Sequence, residues 1–320
     1  MTDIGTASST MVSAAADKLL SPTFRLHWIY LLSALVMALF VYGMNQTRGE
    51  SRTLSQFLFP RSVWLHSSAI TDYFYIALVM PLWSFLVVPH LVSSKIVTRH
   101  FLAAAQIVLG THAPIAMSPL AVGLLYSAAL IVVTDFKLYW VHRLMHRIPA
   151  LWEFHKVHHS AVVLTPITFY RSHPVDLLGQ TLAEAIASGL VTAVFLYVFG
   201  PNLTLATILG VNAFRFAFYL FGANLRHSHV YLSFGSIVEH LVISPAQHQV
   251  HHSADPRHFN RNFGSEFAIW DWMFGSLYCA RRGECIALGL GAEENGRLRT
   301  VRQLLLNPFY SGWRVARRSN

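Results

Sequence analysis

Charge is scarce in this chain. Of its 320 residues only 12 % are Asp, Glu, Lys or Arg, about half the usual share, while 54 % are hydrophobic. A water-soluble protein of this length needs more charge to cover its surface, so the composition points to lipid surroundings. Cysteine is scarcer still. Cys279 and Cys285 are the only two, their spacing matches no zinc or redox pattern, and a disulfide framework is excluded. No Glu-x-x-His pair of the soluble di-iron type occurs, so a metal centre here must use another ligand set. The first 23 residues lack a basic n-region, and no small-residue cleavage site follows the first apolar run. They read as a flexible or interfacial N-terminus and not as a signal peptide.

The net charge of +9 is spread between apolar runs and is not gathered with exposed aromatics, so no nucleic-acid partner is expected. Apolar runs extend over 26–44, 73–92 (with Pro81 and Pro89 as kinks), 101–140 (broken near His112 to Pro119), 177–199 and 203–221. Each full run is long enough at 1.5 Å per residue to cross a bilayer core. The last two are joined by the charge-free turn Gly200-Pro201-Asn202. Lys95, Arg99, Lys137, Arg143, Arg147 and Arg226 follow the runs on what the positive-inside rule makes the cytoplasmic side. The expected fold is an all-α integral membrane protein with roughly four to six membrane helices and a cytoplasmic histidine-rich helical cap. Its parts are the flexible N-terminus 1–23, N-terminal membrane helices 24–134, a catalytic domain 135–280 and a basic cytoplasmic tail 281–320 containing Arg314, Arg317 and Arg318.

Against these shortages stands a surplus of histidine. There are 18, and 13 of them lie between His142 and His258. Three clusters stand out: His142 with His146; His155 with His158 and His159; His248 with His251 and His252. A chain of this composition would show H-x-x-H-H by chance only about 0.05 times, counted as a template; here it occurs twice. On a helix, positions i and i+4 share a face, so each cluster presents a pair of imidazoles, with His158 and His251 beside them. Neutral imidazoles on several helices suit iron, zinc or copper held inside a bundle. The alternative is a set of histidines satisfied within a polar core. His227 is a candidate for a ninth ligand, and His173 for a further ligand or an outer donor. Asp135, two helical turns before His142, is a candidate acceptor for a ligand's second ring N–H, or else an ion-pair partner of Lys137 or Arg143. His229 and His258 are weaker candidates, and His27, His66, His90, His100, His112 and His240 read as structural.

These residues resemble the fatty acid hydroxylase/sterol desaturase superfamily of membrane di-iron enzymes, over roughly 135–278. Asp135…Tyr139-Trp140-Val141-His142-Arg143…His146 is similar to its first box. His155-x-x-His158-His159-Ser160 is similar to the second, and His248-x-x-His251-His252-Ser253 to the third. Arg171-Ser172-His173-Pro174-Val175-Asp176, Asn262-Phe263-Gly264 and Trp270-Asp271-Trp272-Met273-Phe274-Gly275-Ser276 resemble the family's shorter signatures. The chain departs from the pattern at His227-Ser228-His229, where the family often has His-x-Asn, which leaves the ninth ligand open. It also carries no His-Pro-Gly-Gly heme motif.

The resemblance implies two iron ions, O₂, a lipid substrate (sterol, fatty acyl or related) that is hydroxylated or desaturated, and a separate redox donor protein such as a cytochrome b5 or a ferredoxin. An all-histidine set also accommodates zinc, which keeps a zinc-dependent membrane hydrolase open. A non-enzymatic metal-binding membrane protein is the third reading. Tyr139, Trp140, Trp152, Phe154, Phe169 and Tyr170 are candidates for the wall of a substrate cavity or for interfacial anchors.

Overall fold

The computed structural model describes residues 20–281, 284 and 286–318. Most of the expected flexible N-terminus, and Cys285, lie outside the described residues. The described residues form thirteen α-helices in chain order: α1 (Trp28–Gln46), α2 (Leu54–Leu58), α3 (Arg61–Trp64), α4 (Ser67–Leu82), α5 (Ser94–Leu109), α6 (Pro119–Arg147), α7 (Pro149–His159), α8 (Pro174–Phe199), α9 (Ala213–Leu220), α10 (Pro245–His251), α11 (Ile269–Met273), α12 (Ala292–Arg297) and α13 (Val301–Arg318). A two-residue hairpin pair, β1 (Thr207–Ile208) and β2 (Val211–Asn212), precedes α9.

Among the described residues four helical segments are long and apolar enough to cross a membrane: α1, the stretch Ser67–Leu109, α6 and α8. Their most apolar windows are at most 33 % buried in protein, so most of that apolar surface faces outward, as it does in an integral membrane protein. In α1 the buried residues Tyr30, Ala34, Ala38 and Val41 recur every three or four positions and form one protein-facing stripe. Leu32, Val36 and Phe40 on the other side are exposed. The stretch 67–109 is broken where the prolines predict it. Pro81 ends α4, a π-turn covers Trp83–Val87, and a 3₁₀-turn with Pro89 covers Val88–His90. Lys95 and Arg99 therefore sit inside α5 and not in a loop after a completed span.

The apolar run 203–221 is not a membrane helix, contrary to its hydropathy. Leu209 and Gly210 both take positive φ (49° and 77°), the geometry of a tight hairpin turn, and only α9 is helical. Asn212 caps α9 by accepting from Phe214 N and Arg215 N. Extended backbone beside apolar helices needs polar partners, and Ser127 of α6 supplies them. Its Oγ accepts from Ala206 N at 2.8 Å, and its carbonyl accepts from the Asn212 side chain at 2.8 Å.

Helices α5 and α8 pack closely because Gly189 has no side chain. A Cβ there would lie 2.6 Å from Val97 Cβ and 2.9 Å from Ser94 O. The expected tail is likewise ordered over 301–318. Leu304, at the start of α13, is fully buried with Tyr75 and Val79 of α4 and Val157 of α7. Gly189→Leu is expected to push α5 off α8 and destabilise the protein by about 1–3 kcal/mol, the usual cost of overpacking. A lowered melting temperature in detergent would show this; an unchanged one would contradict the packing.

Candidate metal centre

Helix α6 carries His142 and His146 one turn apart near its C-terminus. A single extended residue, Ile148, separates it from α7, and Pro149 starts that helix at its first position. The reversal brings His155, His158 and His159 of α7 against the end of α6. His227 follows a 3₁₀-turn at Ala223–Leu225. Ser244 and Gln247 form a capping box that starts α10, which carries His248 and His251, with His252 as its C-cap.

The nine rings separate into two adjoining groups. His142, His146, His155, His159 and His251 form one; His158, His227, His248 and His252 form the other. Within each group the ligand-capable ring nitrogens all lie within 4.8 Å of one another. Each His-His doublet splits, because neighbouring helical residues point about 100° apart: His159 and His251 join the first group, His158 and His252 the second. The two groups touch through stacked His159 and His252, whose ring centroids are 4.6 Å apart.

The donor geometry fits metal ions. In the second group Nε2 of His227 lies 3.2 Å from that of His158 and 3.1 Å from that of His248, which is 3.2 Å from that of His252. Two nitrogens bound about 2.1 Å from one ion lie roughly 3.0–3.4 Å apart at octahedral to tetrahedral angles. In the first group the buried Nε2 atoms of His142, His146 and His251 have no hydrogen-bond partner among the described residues. Orphaned buried nitrogens converging on one point are what a metal site requires and what a polar core avoids.

Outer partners set the tautomers of four rings. Nδ1–H donates to Phe263 O from His142 (2.8 Å), to Asp176 Oδ2 from His155 (2.8 Å), to Arg171 O from His158 (3.1 Å) and to Arg261 O from His251 (2.7 Å). Carbonyls and carboxylates only accept, so Nδ1 holds the proton and Nε2 keeps its lone pair for a metal. Burial lowers the pKa of His158 to about 4 and of His251 to about 3. It also holds His159, His227, His248 and His252 well below the usual imidazole value, with neighbouring histidines adding to the effect. Neutral rings are the ligating form.

Residues beyond the boxes hold these acceptors in place. Asp271 accepts from Phe263 N at 2.8 Å and Gly264 N at 2.7 Å, which aims Phe263 O at His142. Asn262, at φ 55°, donates to Gln247 O and Tyr278 O and so ties this loop to α10. The buried Arg171 side chain pairs with Asp72 of α4 and donates to Ser68 O and Ser160 Oγ, which fixes the carbonyl that receives His158.

Two candidates fall elsewhere. The Asp135 carboxylate accepts from Glu266 N, Phe267 N and Trp270 Nε1. It therefore anchors the cap to α6, while Lys137 pairs with Glu184 and Arg143 with Tyr139 and Phe274 O. His173 is the N-cap of α8: its Nδ1 accepts from Val175 N and its Nε2–H donates to Leu305 O. That is the reverse tautomer of the four anchored box histidines. Asp176, three residues later, supplies the acceptor expected of Asp135. It was visible only as the last residue of a motif, because which helix faces His155 is a tertiary fact. His229 bonds Phe57 O, and His258, buried and not at the surface, pairs with Glu284. His27 and His66 cap α1 and α4.

The histidines lie between two cavities. One, about 640 Å³, meets His142, His155, His158, His227 and His248 and is walled by Val88, Leu91, Val92, Leu138, Leu177 and Ala185. Phe169 and Tyr170 line it, whereas Tyr139 is buried in the cap. The other, about 580 Å³, reaches His146, His159, His251 and His252 from the opposite side, beside Trp152. Its charged wall holds Lys156 paired with Glu153 and Glu294.

Two measurements follow. Asp176→Ala should lower metal affinity about 10–100-fold, the usual effect of removing such an acceptor. Asp135→Asn should lower the melting temperature and leave metal affinity near wild type; metal titration that showed the opposite order would reverse the assignment. For metal-free protein, neutral buried histidines bind fewer protons than the unfolded chain below its imidazole value of 6.5. Stability is therefore complete above that pH and lost as pH falls from 6.5 toward 3–4. A melting temperature that stayed flat across this window would contradict the burial.

Residues 127–276, just under half the chain, match the fatty acid hydroxylase family. An ornithine lipid hydroxylase of Rhizobium tropici is 31 % identical over 161 residues, 50 % of this chain and 44 % of that protein. An alkylglycerol monooxygenase of Caenorhabditis elegans is 26 % identical over 182 residues, 57 % of this chain and 32 % of its own. A Delta(7)-sterol 5(6)-desaturase of Aspergillus fumigatus is 31 % identical over 147 residues, 46 % and 37 % respectively. The match thus spans less than half the length of each relative. No solved structure is significantly similar to the chain. Residues 127–276, which hold the histidine boxes and the Asn-Phe-Gly and Trp-Asp segments, are thus similar to the fatty acid hydroxylase family.

Proposed function

We propose that the chain is a membrane-bound oxygenase that hydroxylates or desaturates a lipid, with two iron ions held by the nine histidines. The observation that carries this reading is the placement of two all-imidazole groups at the inner end of an apolar-walled cavity between membrane helices. The relatives named above, a lipid hydroxylase, an alkylglycerol monooxygenase and a sterol desaturase, support it. As a hydroxylation, the reaction balances as RH + O₂ + 2 e⁻ + 2 H⁺ → ROH + H₂O, with the electrons from a separate redox donor such as a cytochrome b5 or a ferredoxin. Iron held in these groups would supply the one-electron and O₂ chemistry that breaks an unactivated C–H bond.

The chain's own residues do the rest. Leu91, Val92, Leu138 and Leu177 bind an apolar chain and exclude water from the reacting carbon. His142, His155 and His158 border that cavity, with Asp176, Phe263 O and Arg171 O holding their rings in orientation. The charged cavity on the far side leaves the histidine groups a polar approach away from the lipid. Arg143 and Arg147 at the histidine end of α6 support a cytoplasmic location for this face.

The test is to express the chain and compare cell lipids with and without it, alongside metal analysis and O₂ uptake by the purified protein with reductant and lipid. A lipid gaining one oxygen marks hydroxylation, and one losing two hydrogens marks desaturation. Stoichiometric zinc with turnover that needs no O₂ would instead establish a hydrolase. His155→Ala and His251→Ala are each expected to abolish activity and lower bound metal; full activity in either would remove that histidine from the centre.

A further inference from the structure

Helix α13 has two unlike faces. Leu304, Pro308 and Gly312 are buried against the body of the protein. Leu306, Tyr310 and Trp313, on the other side, are each more than half exposed, as is Phe309 at the edge of that face, where one side of its ring meets Phe154 and His173. Exposed aromatic residues in such a stripe need a partner. Arginines accompany them: Arg302 lies on the same side, the Arg314 guanidinium sits 5.6 Å from the Tyr310 ring centroid, and that of Arg317 sits 4.0 Å from Trp313. From Asn295 to the C-terminus there are six arginines and no acidic residue.

The place of the helix says what the partner is. α13 packs along α7 and touches α4, at the end of the bundle where α6 finishes and α8 begins. Leu305 O accepts from His173, the cap of α8, and Gly312 lies beside Ala150, three residues after the end of α6. Leu144 and Ile148 are exposed on the neighbouring end of α6. The stripe is therefore level with the ends of two membrane spans, where an apolar bilayer surface gives way to phosphate headgroups. Leu, Phe, Tyr and Trp interleaved with Arg is the composition suited to that zone.

We propose that α13 lies in the membrane interface, with Leu306, Phe309, Tyr310 and Trp313 seated in lipid and Arg302, Arg314 and Arg317 at headgroup phosphates. Because Leu304 packs on Val157 between the histidines of α7, this contact also braces the helix that carries the second histidine cluster. The proposal is independent of the reaction catalysed.

The test uses the full chain with Cys279→Ser and Cys285→Ser, bearing one nitroxide label at a time through Leu306→Cys, Tyr310→Cys, Trp313→Cys or, as an aqueous control, Glu293→Cys on α12. Each variant is reconstituted into phosphatidylcholine/phosphatidylglycerol vesicles, and collisions with O₂, which concentrates in lipid, are compared with those of a water-soluble nickel chelate. Labels at 306, 310 and 313 should collide severalfold more with O₂ and less with nickel than the label at 293. Adding Arg314→Glu and Arg317→Glu should return the label at 306 toward the aqueous pattern. Labels at all three sites as open to nickel as the one at 293 would overturn the proposal. So would shielding that appears only when a redox donor protein is added, since that outcome marks a protein-docking face.

Discussion

Nine imidazoles share one buried volume without a counter-charge for each, and the rest of the cap is arranged around that constraint. A buried neutral imidazole needs a use for both ring nitrogens. Cations at the two points where the Nε2 atoms converge would satisfy one side. On the other side, four Nδ1–H groups must find acceptors, and three of these are backbone carbonyls of residues 171, 261 and 263. Loops that look like connectors therefore become part of the site. Asp271, Asn262 and Arg171 matter because they fix the direction of a carbonyl, not because they approach the centre themselves.

Histidine serves two opposite purposes in this chain, and the tautomer separates them. At the starts of α1, α4 and α8, His27, His66 and His173 use Nδ1 as an acceptor for a free backbone N–H. At the centre, His142, His155, His158 and His251 use Nδ1 as a donor and turn Nε2 inward. The same side chain is thus a helix cap or a candidate ligand according to which nitrogen meets the backbone. Each role needs one ring nitrogen with a free lone pair, and the two roles differ in which nitrogen keeps it.

The membrane setting and the site chemistry meet in the two cavities. The apolar one lies where the proline-broken segment 82–93 leaves space between α6 and α8, so the kink that interrupts a span also makes room beside the histidines. The polar one opens on the other side of the same rings, where Lys156 is held between two carboxylates. The histidine groups thus have apolar walls on one side and charged groups on the other.

Eight of the nine histidines at the centre were legible from spacing, because an i, i+4 pair meets on any helix, wherever that helix packs; His227 has no such pair, and only the packing brings it to the second group. The helical class and the apolar segments were legible for the same reason, as local periodicity and length. Three things were decided only in the tertiary structure. The split into groups of five and four depends on how α6, α7 and α10 face one another. The exchange of Asp135 for Asp176 depends on which carboxylate lies opposite His155, and two helical turns along α6 carry Asp135 to the cap instead. Finally, hydropathy made 203–221 a span, but Leu209 and Gly210 turn the chain and Ser127, 79 residues away from Ala206 in sequence, satisfies its backbone. Periodicity is local and survives in the sequence; a hydrogen-bond acceptor supplied by a distant backbone has no side-chain signature to read.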